Sequence, residues 1–175
     1  MAEAGSFDPE AMLRVLEENG VRYVLIGGLA ATLYGSPYVT TDVDITPDRT
    51  PDNLTVLAGA LEQLEARVRR EGVPGGLAFD PSAEFLSRVE ILNLTTRHGD
   101  LDLTFEPAGT QGYPDLLRHA VRITIRGTRV PVAALADVIR SKEAAGREKD
   151  LVTLPTLRRL LERLEEGHEV PEQSG

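Results

Sequence analysis

The sequence predicts an α+β domain in which a mixed β-sheet is flanked by helices and followed by C-terminal helices. Two observations carry this prediction. Segments with apolar residues at helical spacing alternate with short apolar runs, and some of those runs are joined in pairs by turns, as in hairpins. A chain of 175 residues, 41% of them hydrophobic, can bury the core of one such domain. We therefore expect a single domain over residues 1–166 and a polar, disordered tail over 167–175.

The first half of the chain is predicted to contain two strands, each preceded by a helix. Asp8 and Pro9 are typical of a helix start, and Gly20 ends the amphipathic helix that they begin. The elements that follow are a buried strand 21–26, a glycine turn 27–28, a short helix 29–34, a strand 39–46 and a long helix 51–70, which turn residues at 71–76 end.

The second half is predicted to contain two hairpins and the C-terminal helices. Alternating apolar residues on both sides of a turn are the signal for each hairpin. In order, the elements are a short helix 82–88, strands 89–96 and 101–105, one or two helical turns at 113–120, a hairpin 121–132, and helices 134–146 and 154–166.

The bulk composition narrows the class of protein. The formal net charge of −9 argues against a protein that coats nucleic acid, because phosphate neutralisation requires surplus lysine and arginine. The chain has no cysteine, which excludes thiol catalysis, and no apolar run approaches the length of a bilayer span. The acidic N-terminus lacks the order of a secretory signal, so we expect a soluble, cytoplasmic protein with no membrane partner.

One segment departs from this acidic balance. Between Arg118 and Lys149 the chain has eight basic and three acidic residues, a local charge of +5. Such a segment could face an anion, and RNA is one candidate. Exposed basic faces of a hairpin and a helix would give the same composition.

Asp42 and Asp44 stand at alternate positions of a predicted strand. Side chains two residues apart in a strand share a face, so both carboxylates project together while Val43 and Ile45 enter the core. Two such carboxylates repel each other unless a cation lies between them. Mg²⁺, or Mn²⁺ in its place, suits carboxylates that also meet substrate phosphates. The pair is therefore a candidate metal site, and a chance pair on an exposed edge strand is the alternative.

Two glycines lie upstream of the acidic pair. Gly27 and Gly28 follow the apolar strand and precede the short helix. Glycine allows backbone N–H groups to approach a ligand closely, and a helix N-terminus favours phosphate. Strand, glycine turn, helix and acidic strand together predict a site for a phosphate and a metal. The hydroxyl of Thr40 or Thr41 could reach the phosphate, although both threonines also favour a strand.

Residues 25–45, "LIGGLAATLYGSPYVTTDVDI", resemble the signature of the nucleotidyltransferase superfamily with the polymerase-beta-like fold. That signature is an apolar strand, two small residues, a spacer and Asp-x-Asp, and both glycines and both acids match it. The resemblance implies that Asp42 and Asp44 are catalytic metal ligands and that a later strand supplies a third carboxylate. Asp102 is the favoured third carboxylate. Asp100 is the competing choice, although its place beside a glycine fits a turn residue better.

Residues 130–154 resemble a segment of minimal and abortive-infection, toxin-type bacterial members, in which a helix carries Lys, then Arg, then Asp. Here these are Lys142, Arg147 and Asp150. The resemblance implies that Lys142 and Arg147 bind the triphosphate. The alternative is that basic residues simply favour a helix C-terminus. In total the likeness covers about residues 20–155.

The function that the resemblance implies is Mg²⁺-dependent transfer of a nucleoside monophosphate from a nucleoside triphosphate to an acceptor hydroxyl. The acceptor could be tRNA, a protein, or a small molecule as in antibiotic-modifying relatives, and an antitoxin could be a partner. Tyr38 stands where family members often have arginine, so the alternative is a non-catalytic nucleotide-binding or toxin–antitoxin interaction module. The implied catalytic and metal-binding residues are Asp42, Asp44 and Asp102, and the nucleotide-binding residues are Gly27, Gly28, Thr40, Lys142 and Arg147.

Overall fold

The computed structural model describes residues 6–167, which form seven helices and eight strands. The helices are α1 (Pro9–Glu18), α2 (Gly27–Leu33), α3 (Pro51–Gln63), α4 (Ala83–Leu86), α5 (Tyr113–Leu117), α6 (Leu135–Ala145) and α7 (Glu148–Glu165). The strands are β1 (Tyr23–Ile26), β2 (Asp42–Pro47), β3 (Arg67–Arg70), β4 (Val73–Leu77), β5 (Ile91–Thr96), β6 (Gly99–Thr104), β7 (Val121–Ile125) and β8 (Thr128–Val132).

All eight strands belong to one mixed sheet of order β4-β3-β5-β6-β2-β1-β8-β7. Near its centre, β2 runs antiparallel to β1 and parallel to β6. The two hairpins predicted from the sequence, β5–β6 and β7–β8, are present and antiparallel. The predicted class, an α+β fold with a mixed sheet and C-terminal helices, is therefore confirmed.

The core lies against one face of the central strands. Val43 and Ile45 of β2 and Leu101 and Leu103 of β6 are 0% exposed and belong to one hydrophobic cluster with the helices. Residues between them in sequence project from the opposite face, because side chains alternate along a strand. This alternation leaves that opposite face free for polar side chains.

The predicted helix 51–70 is wrong in its last part. α3 ends at Gln63, Glu65 adopts a positive φ of 54°, and the chain continues as β3. Residues 71–76, expected to be a turn, contribute most of β4, in which Gly75 and Gly76 take positive φ. Arginine is a good helix former, so local preference favoured a helix, whereas pairing of β3 with β4 and β5 decides the structure.

Other element boundaries also differ from the predictions, most of them by one to three residues. No separate turn precedes α2, because the helix begins at Gly27 itself. Strand 39–46 begins only at Asp42, and helix 154–166 begins earlier, at Glu148. Pro155 lies inside α7, where it removes one helical hydrogen bond on an exposed side of the helix.

The domain limits 1–166 and the tail 167–175 stay predictions. Gly167 follows α7 in a turn, and the rest of the predicted tail 167–175 lies outside the described residues. Within residues 6–167, no helix combines the length and the apolar character that crossing a membrane requires.

Candidate active site

Three carboxylates meet on the open face of the central strands. In the parallel pairing of β2 with β6, Asp44 lies beside Asp102 and Asp42 lies beside Asp100. One oxygen from each of Asp42, Asp44 and Asp102 lies within 4.8 Å of the others. The sequence placed two of these acids on one face, and the strand pairing brings the third to them.

The electrostatics of the cluster favour a cation. Burial, followed by the charges of Asp42 and Asp102, raises the pKa of Asp44 to about 7, against the opposing charges of Lys149 and Lys142. Burial and a hydrogen bond with Asp42 also raise the pKa of Asp102. A hard divalent ion such as Mg²⁺ accepts carboxylate oxygens and would relieve this repulsion, so the donor set fits a metal.

The raised pKa of Asp44 predicts a pH dependence of stability. Without metal, folded protein retains a proton on Asp44 that the unfolded chain releases near its ordinary pKa of 3.8. The resulting stabilisation is complete below that value and is lost as pH rises through about 7. We expect the unfolding temperature in EDTA to fall more steeply over this window for the wild type than for Asp44→Asn. Equal slopes in calorimetry would show that Asp44 is not the titrating group.

Gly27 supports the carboxylates by leaving space for them. Its φ is +71°, and a Cβ atom on Gly27 would overlap the carboxylate of Asp44. A Cβ on Gly28 would lie 3.2 Å from the Thr40 hydroxyl, which is a tight contact. The two glycines therefore allow the start of α2 to approach the acidic strand closely.

Gly27→Ala is expected to displace Asp44 and to weaken metal binding. The substitution adds the cost of a left-handed conformation, about 1–2 kcal/mol, to the overlap with the carboxylate. Gly20→Ala is the matched control, because Gly20 has φ +70° and a Cβ there would have no atom of the described residues 6–167 within 4 Å. Denaturant unfolding and Mn²⁺ titration should separate the two variants. Similar losses of metal affinity in both would contradict the proposed overlap.

Lys142 and Arg147 both bind the same buried acid, Asp150. The Asp150 carboxylate, 0% exposed by residue, accepts hydrogen bonds from Arg147 Nε at 2.7 Å and from Lys142 Nζ at 3.4 Å. Burial would raise the pKa of Asp150, but the hydrogen bonds and charges of Arg147 and Lys142 lower it below its ordinary value. Asp150 thus fixes both cations at the junction of α6 and α7.

Lys149 is a cation of the site that the sequence did not single out. It lines the same cleft as the carboxylates, is exposed, and acts electrostatically on Asp44. Its neighbours Arg147 and Asp150 were marked by the resemblance. The signals for Lys149 were its position between them and its place in the basic segment 118–149.

Thr40 and Tyr38 lie on the loop before β2. The Thr40 hydroxyl donates to the backbone oxygen of Asp42 at 3.1 Å and lies 3.3 Å from its carboxylate, so it orients the first acid of the pair. Tyr38 lines the cleft, and its hydroxyl lies 3.4 Å from that of Thr156 on α7. At the position where arginine was expected, the loop therefore carries an uncharged ring that contacts the last helix.

Arg69 is the second residue of the site that sequence reasoning missed. Its guanidinium donates to Asp102 Oδ1 at 2.6 Å and to the Leu94 backbone oxygen at 3.0 Å, and it lies 3.2 Å from Asp100 Oδ2. The sequence assigned Arg69 to a helix, which hid its place on the open face of the sheet.

Asp102, not Asp100, joins the carboxylate cluster, and Asp100 lies within β6 rather than in the turn.

One cleft of about 740 Å³ contains most of these groups, and neither Arg69 nor Asp100 lines it. Its floor is the open face of β2, β6 and β5, and its walls come from α2, the loop before β2, the segment after β6, and helices α6 and α7. The candidate residues that line it are Gly27, Gly28, Tyr38, Thr40, Asp42, Asp44, Asp102, Lys142, Arg147, Lys149 and Asp150.

The basic segment 118–149 does not form one surface. Arg118 and Arg140 both bind the buried Asp115, so part of its charge is neutralised. The remaining six basic residues divide between two separate places. Lys142, Arg147 and Lys149 line the main cleft, whereas Arg122, Arg126 and Arg129 line a shallow depression against α1.

The fold is that of nucleotidyltransferases. A candidate nucleotidyltransferase from Thermotoga maritima aligns over 91% of this chain and 97% of its own, with TM-score 0.55 and 17% identity. The lincosamide antibiotic adenylyltransferase LnuA, in its lincomycin-bound form, aligns over 86% of this chain and 94% of its own, with TM-score 0.56 and 15% identity. No protein-family model and no curated protein matches the sequence. The likeness to solved structures establishes the nucleotidyltransferase fold that the sequence motif implied.

Proposed function

We propose that this protein transfers a nucleoside monophosphate from a nucleoside triphosphate to an acceptor hydroxyl. The observation that carries the proposal is the convergence of Asp42, Asp44 and Asp102 in one cleft beside Gly27. Three clustered carboxylates with raised pKa values at two of them suit a divalent cation, and Gly27 lets the start of α2 approach Asp44 closely. The fold that carries these carboxylates is shared with an antibiotic adenylyltransferase.

Each acid has a role in this proposal. Asp42 and Asp44 hold Mg²⁺, or Mn²⁺ in its place, and Asp102 completes the metal site or positions the acceptor hydroxyl and accepts its proton. When bound, the metal would neutralise phosphate charge and favour displacement at the α-phosphorus. Thr40 keeps the Asp42 carboxylate in place through its hydroxyl.

The cations and glycines are proposed to hold the triphosphate. Gly27 and Gly28 line the cleft at the start of α2, and Lys142, Arg147 and Lys149 line it with positive charge at the α6–α7 wall. Asp150 keeps the first two of these cations in place. Lys149 also lines the cleft, but Asp150 binds Lys142 and Arg147 and not Lys149.

The reaction is a single displacement. The acceptor oxygen forms a bond to the α-phosphorus, and the bond from that phosphorus to the oxygen bridging to the β-phosphate breaks. The acceptor proton passes to Asp102, and pyrophosphate leaves. Positioning and electrostatic stabilisation provide most of the rate enhancement in reactions of this type.

Tyr38 motivates the second candidate function, a non-catalytic nucleotide-binding module. Its ring supplies no positive charge at the position where family members often carry arginine. A tRNA or protein acceptor and an antitoxin partner stay predictions from the sequence. The neighbour LnuA is an antibiotic adenylyltransferase and favours a small-molecule acceptor by analogy.

The test follows two labels through one reaction. Wild-type protein is incubated with a bacterial extract and each nucleoside triphosphate, labelled at the α- or the γ-phosphate, with Mg²⁺ or with EDTA. We expect the α-label to enter an acceptor only with Mg²⁺, and the γ-label to be recovered in pyrophosphate. Transfer of the γ-label instead would indicate a phosphotransferase. Nucleotide binding without transfer of either label would favour the non-catalytic module.

A further inference from the structure

The floor of the cleft continues past Asp102 onto β5. In the antiparallel pairing of β5 with β6, Asn93 lies opposite Asp102 and Ile91 lies opposite Thr104. Directly paired residues share a face of the sheet. Ile91, Asn93 and Thr104 therefore extend the same face that carries the carboxylates, and all three line the cleft.

Ile91 is exposed on this floor although it belongs to an interior strand. Its exposed fraction is 62%, whereas Leu92 and Leu94, on the core face of the same strand, are 6% and 0% exposed. A single exposed apolar residue is ordinary on a convex surface. Here it lies in a concave cleft with Pro107 and Ala108, and small-molecule sites combine such apolar lining with a few polar groups.

The charges of the cleft are distributed unequally. Its lysine and arginine residues come from the α6–α7 wall, where the triphosphate is proposed to bind. Of the described residues that line the β5 side, namely Ile91, Asn93, Thr104, Pro107 and Ala108, none is charged.

The arginine that donates to the Leu94 backbone oxygen of β5 is already paired. Arg69 is held by the carboxylates of Asp100 and Asp102, so its charge is compensated within the protein. An RNA acceptor needs several unpaired cations along its phosphates. The described residues that line the β5 side offer none.

We propose that this region is the acceptor subsite, and that its ligand is a small, uncharged, hydroxylated molecule with an apolar face. The apolar face lies on Ile91, and Asn93 and Thr104 offer an amide and a hydroxyl for hydrogen bonds. The acceptor hydroxyl then reaches Asp102, which is opposite Asn93 in the strand pairing. This assignment rests on the proposed nucleotidyl transfer and specifies its acceptor.

The test compares Ile91→Gln with a matched control. Glutamine removes the apolar surface without adding charge near the metal, and Val121→Gln makes the same kind of change on an exposed edge-strand residue outside the cleft. The acceptor pools are a bacterial extract freed of macromolecules by ultrafiltration, and purified tRNA. For Ile91→Gln we expect transfer to the small-molecule pool to require about tenfold more acceptor. Its nucleotide dissociation constant and the behaviour of Val121→Gln should match the wild type.

A binding readout separates failure of the subsite from failure of the transferase. In protein labelled with ¹³C at isoleucine methyl groups, the Ile91 signal is assigned by its loss in Ile91→Gln. We expect that signal to shift with the small-molecule pool and not with tRNA. A shift without any transfer would reject nucleotidyl transfer and keep the subsite. Label on tRNA, no Ile91 shift with the small-molecule pool, or an unchanged acceptor requirement in Ile91→Gln would overturn the inference.

Discussion

Asp44→Asn is expected to lower nucleotidyl transfer by roughly 10³-fold or more while the fold is retained. Asp44 is one of the three clustered carboxylates and is affected by the charges of both others, and asparagine removes one of the negative charges that would hold the metal. Metal stabilisation of the reacting phosphate is worth several kcal/mol, which corresponds to about that factor in rate. The measurement is the rate of pyrophosphate release at saturating Mg²⁺ and nucleotide.

The stability of the same variant is expected to change in the opposite direction. Asparagine removes a buried charge that Asp42 and Asp102 repel, so the metal-free variant should unfold at the same temperature as the wild type or higher at neutral pH. Asp52→Asn, at an exposed position in the first turn of α3, is the control for an Asp-to-Asn change as such. A folded Asp44→Asn protein with wild-type transfer would reject the proposed mechanism.

The sequence predicted the central part of the site because its residues are close to one another in the sequence. Gly27, Asp42 and Asp44 lie within twenty residues, and strand alternation fixes the face that each acid occupies. Asp102 needed the resemblance as well, since only the parallel pairing of β2 with β6 brings it to the pair. Once a strand is assigned, its side-chain directions follow from geometry.

The parts that the sequence did not predict depend on long-range pairing. Arg69 reaches Asp102 only because residues 67–70 form a strand next to β5, against the helical preference of arginine. Ile91 was predicted to be a strand residue, but the strand assignment alone does not give its exposure, which also depends on where the neighbouring strand β3 pairs with β5. The register pairs β3 with Leu94 and Thr95, at the opposite end of β5 from Ile91.

Arg69→Met is expected to weaken metal binding and transfer by roughly 10–100-fold, the usual effect of removing a group that orients a ligand. A carboxylate has two oxygens, and Arg69 binds Oδ1 of Asp102, which leaves the other oxygen for the metal or the acceptor proton. Methionine keeps much of the length of the side chain but cannot hold the carboxylate. Removing the guanidinium also removes a charge that lowers the pKa of Asp102, so less of that group is ionised at a given pH.

The experiment measures Mn²⁺ affinity and transfer rate for Arg69→Met, Arg69→Lys and Arg70→Met. Lysine supplies charge without the planar fork that bonds Asp102 and the Leu94 backbone together, so it should restore only part of the loss. Arg70 is exposed on the same short strand and tests whether any arginine there has the same effect. If Arg70→Met loses metal affinity to the same extent, the integrity of β3 is what matters. If only the Arg69 variants lose it, the guanidinium positions Asp102, and a strand that the sequence concealed is part of the catalytic site.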